Sequence, residues 1–89
     1  MEPIPAGEVA ELLTALIRNA CVNDGTPDSG HEYRSADTIT AYLGEPAARY
    51  EPHPGRVSLL YRIPGAAAGP TIMLMGHTDV VPATSSGWS

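Results

Sequence analysis

The residues best placed for chemistry are His77 and Asp79, which follow the apolar run Thr71-Ile72-Met73-Leu74-Met75-Gly76. In an extended chain successive side chains alternate, so positions 77 and 79 project to the same face. A neutral imidazole is a good ligand for zinc, at about 2.0–2.1 Å. A metal-bound histidine usually donates its other ring N–H to a carboxylate, which fixes the tautomer and strengthens the ligand. Asp79 is spaced to be that carboxylate. The plainer alternative is a capped strand end, with His77 satisfied by backbone and Asp79 opening a turn. His-x-Asp on its own arises often by chance, so spacing leaves both readings open.

The other reactive side chains are weaker candidates. Cys21 is the only cysteine, so the chain holds no internal disulfide framework. It ends an apolar helical pattern, where a small buried residue is expected. Asp24 and Asp28 supply the opposite of the electropositive setting that a reactive thiol needs. His31 falls in the first turn of a second helix and His53 between Pro52 and Pro54, both reading as surface positions. The Asp24–Asp28 loop lacks the spaced ligands and closing Glu of a calcium loop. Glu32, Glu45 and Glu51 fall at a helix start, a helix end and an outer strand, and none is placed as a general base for a metal-bound water.

The elements that must position His77 and Asp79 are legible by period. Val9, Leu12, Leu13, Leu16, Ile17 and Ala20 recur at helical spacing, predicting a helix over 6–21 with Pro5 before it and Glu8 and Glu11 near its positive end. The segment 23–30 is dense in loop formers. Ser29 and Glu32 then have the spacing of a capping box. A helix over 30–43 should follow, with Ala36, Ile39 and Leu43 inward and Gly44 as its stop.

Residues 47–51 form a short strand candidate, closed by a turn at Pro52-His53-Pro54-Gly55. Arg56–Ile63 alternates, placing Val57, Leu59, Tyr61 and Ile63 on one face. The loop 64–70 is too short for a parallel crossover, so the strands beside it should run antiparallel. Thr71–Gly76 is apolar without alternation, the pattern of a strand covered on both faces. Its period also allows a short buried helix, but Pro70 and Gly76 favour a strand. The expected fold class is therefore α/β, two helices followed by three strands of a mixed sheet (α-α-β-β-β).

Composition narrows the function classes. At 89 residues and 43% hydrophobic, the chain has the makings of one small globular unit rather than a disordered tail. A net charge of −5 argues against nucleic-acid or anionic-membrane partners. The start Met1-Glu2-Pro3-Ile4-Pro5 lacks a signal peptide's basic head and apolar core, and no apolar run reaches a membrane span. A soluble, cytoplasmic protein is the expectation.

Leu74-Met75-Gly76-His77-Thr78-Asp79-Val80-Val81-Pro82 resembles the first metal motif of the metallopeptidase family that includes aminoacylase, acetylornithine deacetylase, succinyl-diaminopimelate desuccinylase and glutamate carboxypeptidase. The opening helix, the loop Thr26-Pro27-Asp28-Ser29-Gly30 before Glu32, the strand 57–63 ending in Pro64-Gly65, and Trp88 also fit the family's order. The resemblance implies a hydrolase that cleaves amide bonds of small peptides or N-acyl amino acids with metal-activated water. It implies zinc as cofactor, two ions in a complete site, with cobalt possible. His77 would be a ligand of one zinc, and Asp79 the catalytic-site carboxylate that orients it. The bridging aspartate, the paired glutamates and the remaining ligands of the family fall later in the order than position 89. Residues 1–89 would then be the N-terminal portion of an amidohydrolase catalytic domain, inactive and poorly soluble by itself, and a homodimer when full length. Two alternatives remain: the first segment of another di-zinc aminopeptidase family, for which Val80-Val81-Pro82 is a poorer fit, or a non-catalytic remnant or interaction domain.

Overall fold

A computed structural model describes residues 3–84 and Ser86. Trp88 lies outside the described residues. The order is helix α1 (Ala6–Arg18), helix α2 (Tyr33–Leu43), strand β1 (Ala48–His53) and strand β2 (Arg56–Leu60). Mixed α/β character is thus as expected, and the boundaries move for identifiable reasons.

Helix α1 stops at Arg18, three residues before the expected end. Asn19 caps it, and Ala20 turns left-handed at φ 51°. The Asn19 side chain donates to Thr38 Oγ1 at 3.0 Å and Ser35 Oγ at 3.3 Å, tying the end of α1 to α2. The left-handed Ala20 redirects the chain so that Cys21 enters the core instead of extending the helix. The rest of α1 packs weakly. Its apolar stripe Val9, Leu13 and Ile17 faces outward, and no residue of the helix is fully buried.

Helix α2 begins at Tyr33 rather than residue 30, because the capping box does not form. Glu32 is the N-cap residue and makes no side-chain cap. Ser29 Oγ instead donates to the Thr26 carbonyl at 2.8 Å and accepts the Asp24 amide at 3.1 Å. The Glu32 carboxylate turns away to Arg56. Gly44 stops the helix as expected, at φ 89°. Ala36 is buried and Ile39 half-buried, but Leu43 lies exposed rather than inward.

The strands β1 and β2 pair antiparallel, with Ala48 opposite Leu60 and His53 opposite Arg56. The strand candidate 47–51 extends to His53 and the turn narrows to Pro54-Gly55. Pro52, inside the strand, is tolerated because a register shift lies between Tyr50 and His53. The second strand ends at Leu60 instead of Ile63. Val57 is buried and Tyr61 half-buried with its hydroxyl donated to the Gly44 carbonyl, whereas Ile63 is exposed.

The third expected strand is a correction. Residues 71–76 are assigned neither strand nor helix, and the sheet has two strands among the described residues. Leu74 and Met75 are 92% and 93% exposed. A strand exists only by pairing, and no neighbour among the described residues offers Thr71–Gly76 a ladder, so the antiparallel expectation across the 64–70 loop is not realised either. The accessible surface is 7449 Å², against about 5,000 Å² for a compact folded chain of this mass. The radius of gyration is 15.7 Å, where a compact domain of this length has about 12 Å.

Candidate functional site

The site is built where the loop after α1 meets the chain beyond Gly76. Its framework is one parallel bridge: the Val80 amide donates to the Cys21 carbonyl at 2.9 Å, and the Asn23 amide to the Val80 carbonyl at 2.8 Å. The loop itself is organised by its own short polar side chains, as such residues do in turns. Asn23 Oδ1 accepts the Gly25 amide at 2.9 Å, and Asp24 Oδ1 accepts the Thr26 amide at 2.9 Å. The Thr26 hydroxyl, which donates to the same Oδ1 at 2.6 Å, and then the Thr26 amide hold the Asp24 carboxyl below its ordinary range.

With the bridge in place, Asn23 Nδ2 donates to Asp79 Oδ2 at 2.9 Å. The other carboxylate oxygen, Oδ1, lies 3.0 Å from His77 Nδ1, and the Asp79 carbonyl oxygen lies 2.9 Å from the same nitrogen. Both partners of Nδ1 are acceptors, so Nδ1 carries the proton. The His77 side chain is 83% exposed, and among the described residues its Nε2 has no hydrogen-bond partner. His77 is drawn above its ordinary pKa, chiefly by the Asp79 carbonyl and then by the Asp79 carboxylate. Asp79 is held below the ordinary carboxylate range, first by the Asn23 hydrogen bond, which outweighs the opposing effect of burial, and then by the hydrogen bond and charge of His77.

Arg56, at the start of β2, joins this pair to α2. Its single Nε–H is shared between the two Glu32 oxygens, at 2.7 and 3.0 Å, and its Nη2 stands 3.8 Å from Asp79 Oδ2. Glu32 is 7% exposed, so a buried carboxylate is paired with a charged donor, which offsets part of the cost of its burial. Ser35, fully buried beside it along α2, contacts Cys21 Sγ at 3.3 Å. Gly30 packs against this ion pair with φ 83°. A Cβ there would stand 2.6 Å from Glu32 Oε1 and 2.8 Å from Arg56 Nε.

His77 and Asp79 border an open groove of about 460 Å³, which Glu32, Ala36, Arg56 and Val57 also line. The expected pair is therefore together, in mutual contact, at the edge of a groove. The remaining candidates are elsewhere. His31 is exposed, with its ring edge-on to Tyr33 at 6.4 Å, and His53 Nε2 pairs with Asp28 at 2.8 Å. Cys21 is buried as expected. Glu45 and Glu51 lie outside the groove. No group of three or more His, Cys, Asp or Glu side chains that could hold a metal occurs among the described residues.

Sequence reasoning missed Asn23 and Arg56, and left Glu32 as a helix start. No local spacing could have found them: Arg56 and Glu32 are 24 residues apart, and Asn23 and Asp79 are 56 apart. The available hint was an arginine opening a strand rich in apolar residues. No helix among the described residues is long and apolar enough to cross a membrane. No family model, curated protein or solved structure matches the chain.

Proposed function

We propose that the chain is the N-terminal portion of the catalytic domain of a zinc-dependent amidohydrolase or peptidase, one that hydrolyses small peptides or N-acyl amino acids. The observation that carries this reading is the state of His77, a residue bordering a groove: Nδ1–H tied to Asp79, and Nε2 without a partner among the described residues. A ligand histidine is oriented in this way. The donor chemistry suits zinc as far as it goes, but one imidazole falls short of the three or so protein ligands that a catalytic zinc takes. No reaction step is therefore assigned to these residues. When bound, the metal would lower the pKa of its water towards neutrality and polarise the scissile carbonyl. This chain's part is to hold the His77 ring, keep its proton on the Asp79 side and leave Nε2 free.

The uncovered apolar surface supports the same reading. A run such as Thr71–Met75 is stable in water only when other strands and helices lie against it, and α1 shows a bare apolar stripe as well. Further polypeptide of the same catalytic domain would cover both and bring the remaining ligands and the general base. In a protein carrying that polypeptide, His77→Ala should abolish zinc retention and hydrolysis of N-acyl amino acids. Asp79→Ala should leave some metal but lose roughly 10–100-fold in affinity or rate. Full activity in the His77→Ala protein, measured beside its metal content, would remove the basis of the proposal.

A further inference from the structure

Asn23 does two jobs with its two side-chain atoms. Oδ1 accepts the Gly25 amide and so anchors the side chain to its own turn, while Nδ2 donates to Asp79 Oδ2. The reversed amide would face a donor with a donor and an acceptor with an acceptor, so the orientation is determined. Only the other oxygen of Asp79, Oδ1, then turns to His77. Arg56 Nη2, held in place by the Nε–H shared between the two Glu32 oxygens, places positive charge 3.8 Å from Oδ2, on the same side as Asn23. The carboxylate is thus gripped at one oxygen and presents the second.

We propose that Asn23, backed by Arg56, is a positioning residue that sets the tautomer of His77 through Asp79, leaving Nε2 as the bare nitrogen at the groove. An exposed imidazole in water prefers the opposite tautomer, with its proton on Nε2, which donates and cannot bind a metal. The preference is reversed only while an acceptor stands at Nδ1. The carbonyl of Asp79 accepts at the same place, at 2.9 Å, and is held there by the backbone bridge through Val80, so the gripped carboxylate adds to a bias that the carbonyl shares. Its purpose rests on the hydrolase reading above, whereas the tautomer is a property of this chain alone.

The test is side-chain nitrogen NMR on the uniformly labelled full chain without metal, at a pH where His77 is neutral. Its two ring nitrogens then report directly which one carries hydrogen. The native chain should show protonated Nδ1 and bare Nε2 as the dominant form. Asn23→Asp keeps the acceptor for Gly25 but replaces the donor by a repelling oxygen, and should lower the share of the Nδ1–H form measurably, the Asp79 carbonyl retaining part of the bias. The exchanged pair Asn23→Asp with Asp79→Asn restores a donor–acceptor contact in reverse. The amide oxygen introduced at position 79 again faces His77, and the native tautomer should recover. Backbone amide shifts of 48–60 report whether the hairpin persists. If Asn23→Asp disturbs it, the exchanged pair decides: recovery supports the positioning role and no recovery overturns it. A native chain dominated by Nε2–H, or an Asn23→Asp chain with an unchanged tautomer, also overturns it. Neither result touches the hydrolase reading, which stands or falls on metal content and activity.

Discussion

Two regions of this molecule invert the usual relation between side-chain chemistry and burial. Around the loop 19–32 and the start of β2, the buried residues include Glu32 and Ser35, and a charged Arg56 is half-buried with them. Between Thr71 and Met75 the side chains are almost wholly apolar and almost wholly exposed. Hydrophobicity supplies a drive to be buried, roughly 25 cal/mol per Å², but only neighbours can satisfy it. The polar region has neighbours from four segments, each satisfying a hydrogen bond. The apolar region has none among the described residues.

The sharpest way to break the comparison is to make one glycine change in each region. Gly30→Ala forces a left-handed side chain into the Glu32–Arg56 pair and should cost about 1–3 kcal/mol, read from the urea midpoint. Gly76→Ala meets nothing within 4 Å and should stay within about 0.5 kcal/mol. Equal effects at the two sites would mean that the polar region is no better packed than the apolar one.

A smaller contrast comes from truncation. Val57→Ala, in the buried face of β2, should lose about 1–2 kcal/mol. Leu74→Asp should change stability by less than about 0.5 kcal/mol while improving solubility, since it breaks an exposed apolar run. Amide exchange should agree: the paired amides of β1 and β2 protected, those of 71–76 near the rate of an open chain.

The mildest expected effect is electrostatic. His77, raised above its usual 6.5, adds stability that is complete below 6.5 and lost as pH rises through its folded value. Asp79, lowered from 3.8, adds stability that is present above 3.8 and lost as pH falls through its folded value. Their contact should be firmest between those limits. An NMR titration should place His77 above 6.5, and Asp79→Asn should bring it down. An unchanged midpoint in that variant would separate the two side chains in solution.

What could be read in advance follows from range. Helix α2, the Gly44 stop and the hairpin turn near Gly55 depend on residues within a few positions of one another, and the local pattern anticipated them. His77 and Asp79 were legible because their relation spans two positions. Asn23, Arg56 and the true role of Glu32 depend on contacts across 24 and 56 residues, which period and spacing do not encode. The capping box failed for the same reason: Glu32 had a better partner far away than Ser29 nearby. The strand over Thr71–Gly76 failed differently, since its composition describes surroundings that these residues do not themselves provide.

The 56 residues between Asn23 and Asp79 also set an order of events as the chain is made. At ribosomal speeds of about 5–20 residues per second, Asn23 leaves the ribosome roughly 3–11 s before Asp79 does. Its turn needs no such wait, because Gly25 is two residues away. The receiving half of the contact is therefore synthesised first, and its final placement waits for Val80, whose carbonyl accepts the Asn23 amide one residue after the carboxylate arrives.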